Sequence, residues 1–404
     1  MFSDDRPAAP GRVPRRPALV IGAAVALLLV LGLAGVAALT SNDEPATLWR
    51  AGPIATPEPV PTTAAPSPTP AVERVVTLSA TGDIIMGSAP DSLPARDGEG
   101  FFDGVRRALA ADVVMGNLEQ PITDDTGYRK CRPRPAPSPG GTARKRSGCH
   151  QFRVPPKYAG HLRDAGFEVL NQANNHGNDF GDAGYRNTQK ALERYDLRHT
   201  GAPDQITVVE AEGVRVAVVG FSSYRWSNSL IDIPSARRVV QRAAGQADLV
   251  VVQVHMGAEG SDRTRVKPGT EMFLGENRGD PVRFSHAVIE AGADLVVGHG
   301  PHVLRGLEFH RGRLIAYSLG NFAGGAGTLN NDGRLGWGGV LKVSLRPDGT
   351  FASGQFVATY LDGGGKPVVD GRERGLGLVR DLSRRDFPTT GARLDAAGEI
   401  TEPA

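Results

Sequence analysis

The sequence predicts an α/β domain built on a buried, mixed sheet. Short apolar runs alternate with amphipathic stretches after residue 73, as is typical of strands that alternate with helices. The early strand candidates are almost continuously apolar, which indicates burial on both faces of the sheet. Three later runs, LIAYSLG, GGVLKVSLRP and FASGQFVATYL, are typical of hairpin strands, so antiparallel pairs are predicted as well.

The predicted elements fill a domain that extends from residue 73 to residue 361. Its strand candidates are residues 75–82, 112–116, 168–173, 214–221, 248–255 and 293–299. Its helix candidates lie near residues 101–110, 156–165, 182–195, 233–245 and 281–291. Residues 362–404 are polar and weakly patterned, and we predict that they form a tail outside this domain.

Residues 18–39 form an apolar run without a single charge, long enough to cross a bilayer as a helix. Arginines dominate residues 1–17 and acidic residues follow the run, so the positive-inside rule places residues 1–17 in the cytoplasm and the remainder outside. A cleaved signal peptide is the alternative, because small residues near Ala37 and Ala38 could form a cleavage site. The length of the run favours a retained, single-pass anchor in the cell membrane.

Residues 40–72 are rich in Pro, Thr and Ala and cannot bury a core. Such a segment is predicted to stay extended, and at roughly 3 Å per residue it could hold the domain up to about 100 Å from the membrane. A spacer of this kind suits a protein that works within or beneath a cell wall.

One basic segment stands out in a chain whose formal net charge is only +2. Seven Lys and Arg residues lie between Arg129 and Arg146, within a predicted loop insertion at 128–150. The loop could capture a polyanion, or it could be a solvated insertion without a function. Nucleic acid is a poor candidate partner, because the domain is predicted to face outward. Cys131 and Cys149 enclose the loop, and a disulfide is predicted in an oxidising compartment in preference to two free thiols.

Side chains that can bind a metal follow five of the predicted strands at their C-terminal ends. Because ligands gather at the carboxyl ends of strands in α/β sheets, we expect these clusters to converge on one site. Each residue alone could be a turn former or an ordinary polar group, but that interpretation requires five coincidences in register with five strands. Carboxylate, amide and imidazole groups together suit Mn, Fe, Zn or Mg. The clusters are Asp83; Asn117 and Glu119; Asn174, Asn175 and His176; His255 and Glu259; and His299 and His302.

At these clusters the sequence resembles the CapA family, also called the poly-γ-glutamate capsule synthesis domain. The resemblance extends in order over most of residues 75–345. The asparagine–histidine cluster and the long block near residue 300 are specific, whereas Gly-Asp alone would be a weak signal. The matching stretches are TGDIIMG (81–87), NLEQPITD (117–124), ANNHGNDFGDAGYRNTQKAL (173–192), VVVQVHMGAEG (250–260) and GADLVVGHGPHVLRGLEFHRGRLIAYSLGNF (292–322).

The CapA family is similar to the calcineurin-like metallophosphatases, so the resemblance implies a fold and a site. The implied fold is a four-layer α/β/β/α sandwich with mixed sheets, and it holds two metals at strand ends. His176 matches the histidine that assists the leaving group. The implied metal ligands are Asp83, Asn175, His255, His299 and His302, with Glu119 coordinating directly or lying on the rim. The candidates for substrate contacts are Asn117, Asn174 and Glu259.

The sequence departs from the metallophosphatase pattern at three points. Ile85 stands where a histidine is expected two residues after the first aspartate, and Asn117 stands where a bridging aspartate is expected. The final pair is His-x-x-His, from His299 to His302, rather than His-x-His. These departures leave one metal position short of ligands, so one divalent metal ion or an altered pair is expected.

The resemblance implies a role in capsule, poly-γ-glutamate or anionic cell-envelope polymer synthesis. We expect either a metal-dependent hydrolase or transferase that acts outside the membrane, or a non-catalytic subunit that binds nascent polymer in a synthesis and export complex. The expected partners are the anionic polymer, the membrane through residues 18–39, and other membrane subunits of such a complex.

Overall fold

Two mixed β-sheets pack face to face in the computed structural model, which describes residues 74–131 and 148–403. The strands are β1 (Val76–Ile85), β2 (Val113–Leu118), β3 (Val169–Asn171), β4 (Arg198–Thr200), β5 (Thr207–Ala211), β6 (Val214–Ser222), β7 (Asn228–Ser229), β8 (Leu249–His255), β9 (Met272–Phe273), β10 (Glu276–Asn277), β11 (Leu295–His299), β12 (Leu307–His310), β13 (Arg313–Ala316), β14 (Asn321–Gly324), β15 (Trp337–Leu345), β16 (Phe351–Leu361), β17 (Pro367–Val369), β18 (Arg393–Leu394) and β19 (Glu399–Thr401). The helices are α1 (Arg106–Leu109), α2 (Ala159–Ala165), α3 (Gly181–Arg194), α4 (Ile233–Ala244), α5 (Pro281–Ile289) and α6 (Arg374–Asp386).

The first sheet has the strand order β18-β19-β16-β15-β1-β2-β3-β4, with β14 beside β1 and β17 beside β16. Its half from β1 to β4 is parallel, and β15 and β16 add antiparallel strands. The second sheet has the order β12-β13-β11-β8-β6-β5, in which β13, β11, β8 and β6 are parallel. Parallel strands direct their carboxyl ends to one edge of a sheet, and this edge carries the candidate site.

Three apolar layers hold the fold together. Residues such as Leu78 of the first sheet and Val218 of the second meet in the layer between the sheets. The outer face of the first sheet packs on α2 and α3, and the outer face of the second sheet packs on α4 and α5. The order of layers is therefore α/β/β/α, and the predicted four-layer sandwich with mixed sheets is confirmed.

Local sequence explains how the helices begin and end. The Asp232 side chain accepts a hydrogen bond from the Ser235 amide at the start of α4, and Asp280 does the same for Arg283 at the start of α5. These caps satisfy backbone amides that have no partner within the helix. A proline in the first turn of each helix reinforces the start. At the other end of a helix, Gly166 follows α2 in the left-handed region that glycine tolerates best.

The chain after residue 361 corrects the predicted domain boundary. Residues 362–403 are part of the sandwich: β17 and β19 pair with β16, and α6 contributes Leu376 and Val379 to the layer between the sheets. The sequence pattern is weak here for physical reasons. The buried face of α6 includes Gly375 and Ser383 beside its three apolar residues Leu376, Val379 and Leu382, and strands of two or three residues are too short to display a period.

Several predicted segments lie outside the described residues. These are the cytoplasmic tail at 1–17, the anchor at 18–39, the linker at 40–72 and most of the basic loop. Within residues 74–131 and 148–403, no helix has the length and hydropathy that a membrane span requires. The two cysteines are described, and Cys131 and Cys149 form a disulfide with a Cα–Cα distance of 5.7 Å.

Candidate metal centre

Neighbouring strands bring the metal-capable residues to one edge of the two sheets. Asp83 in β1 is in register with Asn117 of β2 and with Asn321 of β14. His255 and His299, the last residues of β8 and β11, are paired in register. The backbone before Asp83 passes very close to the 319–320 segment, because a Cβ at Gly82 would lie 1.9 Å from the Gly320 carbonyl oxygen. Glycine before Asp83 is therefore required by this close approach.

Two carboxylates and a histidine form the centre of this cluster. Ligand atoms of Asp83, Glu119 and His302 lie within 4.8 Å of one another, and all three residues are buried. His302 Nδ1 is 3.1 Å from Asp83 Oδ2, and His302 Nε2 is 3.6 Å from Glu119 Oε1. Such a set of oxygen and nitrogen atoms could hold one divalent ion.

The protonation of His302 follows from its neighbours. Asn321 donates through Nδ2 to the Leu335 carbonyl oxygen, so its Oδ1 is an acceptor, and His302 Nδ1 lies 2.8 Å from it. His302 Nδ1 must therefore carry a proton. In the neutral ring this leaves the lone pair on Nε2, the atom that faces Glu119. Asn321 thus fixes the tautomer that a metal-binding histidine needs.

The residues present fit a metal ion. Among the described residues, Glu119 Oε1, Asn175 Oδ1 and both ring nitrogens of His299 are buried and have no hydrogen-bond partner. His299 Nδ1 is 3.8 Å from Asp83 Oδ1, so it faces the same point as the carboxylates. Buried polar atoms without partners are costly, and a bound cation would satisfy them together.

The electrostatics of the Glu119–His302 pair favour a bound proton, which a metal ion would displace. Burial and the charge of Asp83 raise the pKa of Glu119 well above its usual value. Burial alone would lower the pKa of His302, but the charges of Glu119 and Asp83 outweigh it and raise that pKa well above normal. Burial lowers the pKa of His299 to about 4, so this ring is neutral and keeps a lone pair for a ligand.

Asn117 lies beneath the two carboxylates and orients them. Its Nδ2 is 2.8 Å from Asp83 Oδ1 and 3.4 Å from Glu119 Oε2. Its Oδ1 accepts hydrogen bonds from Asn171 and Asn174, both at 3.0 Å. Asn117 and Asn174 are completely buried and hydrogen-bond to each other, and their role as substrate contacts stays a prediction. The Asn117 amide donates hydrogen bonds to the two carboxylates. The ionised aspartate that the metallophosphatase pattern has at this position could not donate them.

His176 lies beside the cluster and is held by a buried aspartate. Its Nδ1 is 2.7 Å from Asp179 Oδ2, and Lys130 Nζ is 2.8 Å from Asp179 Oδ1. Because Asp179 accepts from both, His176 Nδ1 is the donor and Nε2 is left to act in the cleft. Burial lowers the pKa of His176, and the charge of Asp179 opposes this effect.

The disulfide lies next to the groups that hold Asp179. Lys130, which precedes Cys131, also donates to the Asn175 carbonyl oxygen at 3.1 Å. The amide of Phe152, three residues after Cys149, donates to Asp179 Oδ2 at 2.9 Å, and its ring lies 4.8 Å from the His176 ring. The cross-link therefore does more than close the basic loop, because its two ends adjoin the residues that hold the His176–Asp179 pair.

The remaining predicted residues meet a buried arginine. Arg278 contacts His255 Nε2 at 3.2 Å and Glu259 Oε1 at 2.7 Å. Asn175 Nδ2 lies 3.3 Å from the same oxygen of Glu259, whose other oxygen is 3.8 Å from His302 Nε2. The structure thus brings all the predicted site residues into one cluster or its lining. The role of each as ligand, catalyst or substrate contact stays a prediction.

Four residues that contact the predicted site residues are not predicted from the sequence: Lys130, Asp179, Arg278 and Asn321. Asp179 and Asn321 lie within the family-like stretches, three residues after His176 and just before Phe322, so their position in those blocks was a usable signal. Arg278 and Lys130 lie on connecting segments without a period, and only the fold brings them to the site.

A cleft opens over the cluster in two adjoining lobes that share His150, His176, Glu259 and Phe273. The first lobe, of about 370 Å³, is also lined by Ile85, His302, Leu329 and Leu335. The second, of about 360 Å³, is also lined by Lys130, Tyr224, Trp226 and Arg278. His150, which the sequence placed in no cluster, lies at the junction. His176 thus lines both lobes of a cleft in which a substrate could bind.

Comparison with known proteins identifies related sequences over most of the domain. The family described as "Bacterial capsule synthesis protein PGA_cap" matches residues 77–326. The capsule biosynthesis protein CapA of Bacillus anthracis is 29% identical over 334 residues, which cover 76% of this chain and 73% of that protein. The PGA biosynthesis protein CapA of Bacillus subtilis is 29% identical over 314 residues, which cover 72% of each chain.

Solved structures with a similar fold are more distant. A 5′-nucleotidase precursor from Thermus thermophilus is 14% identical with a TM-score of 0.38, and the match covers 78% of this chain and 60% of that chain. A purple acid phosphatase from yellow lupin is 9% identical with a TM-score of 0.36, covering 76% of this chain and 56% of that chain.

Proposed function

Because this chain belongs to the PGA_cap family of bacterial capsule synthesis proteins, we propose that it is a metal-dependent hydrolase or transferase of anionic envelope-polymer synthesis. The observation that carries the catalytic part is the pairing of a metal-capable cluster with His176 in front of an open cleft. A structural metal site alone has no need of a histidine held in one tautomer beside it.

The residues that would hold the ion are Asp83, Glu119 and His302, with His299 as a neutral neighbour. A divalent ion such as Mn, Fe, Zn or Mg would supply a bound water of lowered pKa and charge stabilisation for an anionic oxygen. The protein itself contributes the orientation of these groups through Asn117 and Asn321. Both are buried amides. Their hydrogen bonds fix the orientation of the Asp83 carboxylate and of the His302 ring.

His176 would transfer a proton at Nε2, the ring nitrogen that Asp179 leaves for the cleft. A neutral ring at physiological pH suits this task, since it can take a proton from a nucleophile and return it to a leaving group. The lowered pKa of His176 keeps the ring neutral before the reaction. The ionised Asp179 would stabilise the cation once it forms.

The substrate that we propose is an anionic polymer, such as poly-γ-glutamate or a wall polymer. The support is the family, together with the Bacillus subtilis relative that is described as a PGA biosynthesis protein. Lys130 lines the cleft, and the sequence carries five further basic residues between Arg132 and Arg146, which a polyanion could neutralise. Other membrane subunits of a synthesis complex are proposed as partners, and nucleic acid is not.

A non-catalytic, polymer-binding or export subunit is the second candidate. It is favoured by the shortage of ligands for a second ion, since Ile85 replaces a histidine of the two-metal pattern. A cluster with one cation could serve to hold a carboxylate-bearing polymer without cleaving it.

The decisive experiment measures metal content and turnover on the same full-length, detergent-solubilised protein. We expect bound divalent metal by elemental analysis, and metal-dependent cleavage or transfer with phosphoesters or poly-γ-glutamate as substrates. Activity should disappear with a chelator and return with the metal. Metal-loaded protein that binds the polymer but does not change it would support the second candidate. Protein that neither binds a metal nor acts on any substrate would contradict the enzymatic proposal.

We also propose that the domain lies outside the cell membrane, anchored by residues 18–39. Protease added to intact spheroplasts is then expected to remove the domain, because the positive-inside rule directs the arginine-rich residues 1–17 to the cytoplasm. Immunoblotting for the domain measures its loss, and a cytoplasmic protein in the same cells serves as the control for intact membranes. A domain that stays protected while an external marker is digested would contradict this topology.

A further inference from the structure

A buried arginine contacts two of the predicted site residues, His255 and Glu259. Arg278 follows β10 and is only 2% exposed. Its backbone is fixed at both polar atoms, because its amide donates to the Glu271 carbonyl and its carbonyl accepts from the Gly257 amide, both at 2.9 Å. This segment therefore holds the side chain against the end of β8, where His255 lies.

The guanidinium of Arg278 is engaged on its edges and on its faces. Its Nε lies 3.1 Å from Glu276 Oε2, in addition to its contacts with His255 and Glu259. The rings of Tyr224 and Phe273 lie 5.7 and 5.3 Å from its central carbon. A guanidinium held by two carboxylates and two aromatic rings is a permanent charge of the site rather than a mobile surface group.

The contact with His255 has a consequence for metal binding. A guanidinium can only donate hydrogen bonds, so His255 Nε2 accepts from Arg278 Nη1 and uses the single lone pair of the neutral ring. The other nitrogen, Nδ1, then carries the proton and faces Glu119 Oε1 at 3.9 Å. His255 therefore has no lone pair left for a metal while Arg278 stays in place.

The balance of charge in the site also argues against a second metal ion. One divalent ion and one guanidinium offset the three buried or mostly buried carboxylates of the site, Asp83, Glu119 and Glu259, whereas Glu276, the other partner of Arg278, is half exposed to solvent. A second divalent ion would leave excess positive charge in a buried site, where unbalanced charge is expensive. Glu259 connects the two cations, since it contacts Arg278 through Oε1 and faces His302 through Oε2.

We infer that Arg278 takes the place of the second metal ion and that the site binds a single divalent ion at Asp83, Glu119 and His302. This deepens the proposed function, on which it rests, by specifying a mononuclear centre with a built-in cation. The resemblance to two-metal enzymes thus holds for the position of the site but not for the number of metal ions that it binds.

Metal stoichiometry tests this inference without any assay of turnover. Full-length protein loaded with Mn²⁺ is expected to contain one ion per chain by elemental analysis, and its electron paramagnetic resonance spectrum should be that of an isolated ion. Two ions per chain, an exchange-coupled pair, or protein that binds no metal would overturn the inference. One bound ion in a protein without turnover would contradict the proposed function and leave this inference standing.

The variant Arg278→Met tests the role of the guanidinium itself. Methionine fills part of the same space, and its introduction releases His255 Nε2 and Glu259 Oε1. Together with Asn175 Oδ1, which has no hydrogen-bond partner among the described residues, these atoms supply ligands for a second Mn²⁺ despite the missing histidine at Ile85, so a second ion is expected to bind. Arg374→Met is the matched control, because the Arg374 guanidinium also lies over two aromatic rings, those of Trp337 and Tyr360, and pairs with Asp370 away from the cluster, so this variant should leave one ion per chain. If Arg278→Met folds and still binds one ion, Arg278 does not take the place of the second metal. If Arg278→Met does not fold, the metal content and the electron paramagnetic resonance spectrum of the wild type alone test the inference of a single ion.

Discussion

Replacing Asp83 with asparagine is expected to remove the bound divalent ion and the metal-dependent activity with it. Asp83 supplies one of the two carboxylates of the cluster and is completely buried, so no outside group can replace it. Loss of a residue that only supports a metal ligand already costs about 10- to 100-fold in affinity. Loss of a charged ligand is expected to cost at least about 100-fold.

The choice of asparagine separates metal loss from misfolding. The amide oxygen of the introduced side chain could still accept the hydrogen bond from Asn117 that Asp83 Oδ1 accepts now. The side chain also keeps its volume, so the variant should unfold cooperatively like the wild type. The measurements are metal content after dialysis and the thermal midpoint with and without Mn²⁺. An ion at about 100 times its dissociation constant should stabilise the wild type by about 2.7 kcal/mol, and Asp83→Asn should show almost none of this gain.

Glu308→Gln provides the matched control. Glu308 is also a buried carboxylate, but it contacts His286, Tyr317 and Thr390 instead of the cluster. This variant can lose stability, yet it should bind the metal as the wild type does. Equal metal content in wild type and Asp83→Asn would refute the assignment of Asp83 as a ligand.

How accurately the sequence predicts a strand or helix depends on how many times the periodic pattern of that element repeats. Long apolar strands such as β6 and β8 and helices such as α3 and α4 are located to within about two residues, because each repeats its period several times. The strands β18 and β19 consist of two and three residues, and only their partners in the sheet define them. The sequence pattern therefore excludes the C-terminal segment from the domain, although its apolar residues belong to the inner core.

The candidate site divides in the same way. Residues at the ends of long strands, such as Asp83 and His255, could be predicted to converge because parallel strands end at one edge of a sheet. Arg278 could not, since the hairpin that carries it has no pattern that points toward the site. Its contact with His255 changes what that histidine can do. The sequence therefore identifies the residues that form a site, but it does not show which of their nitrogen lone pairs are free to bind a metal.

Replacing His176 with glutamine is expected to lower kcat by about 100- to 10,000-fold, the usual contribution of a general acid or base. His176 is not in the group of closely placed metal-capable side chains, and its Nδ1 is held by Asp179. Metal content should therefore be unchanged, and the effect should fall on kcat more than on KM. This result is the reverse of that for Asp83→Asn, which removes the metal.

Two further variants test whether the loss of kcat in His176→Gln arises from lost proton transfer. Asp179→Asn should lower kcat by a smaller factor, because it removes the charge that fixes the His176 tautomer and leaves the ring in place. His310→Gln is the control, since His310 is a partly buried histidine that stacks on His286 and lies outside the cleft lining. It should keep the wild-type kcat and KM. A His176→Gln variant that retains its metal and turns over at the wild-type rate would exclude His176 as the acid or base. Proton transfer would then have to come from another group at the cleft, of which His150 is the nearest in kind.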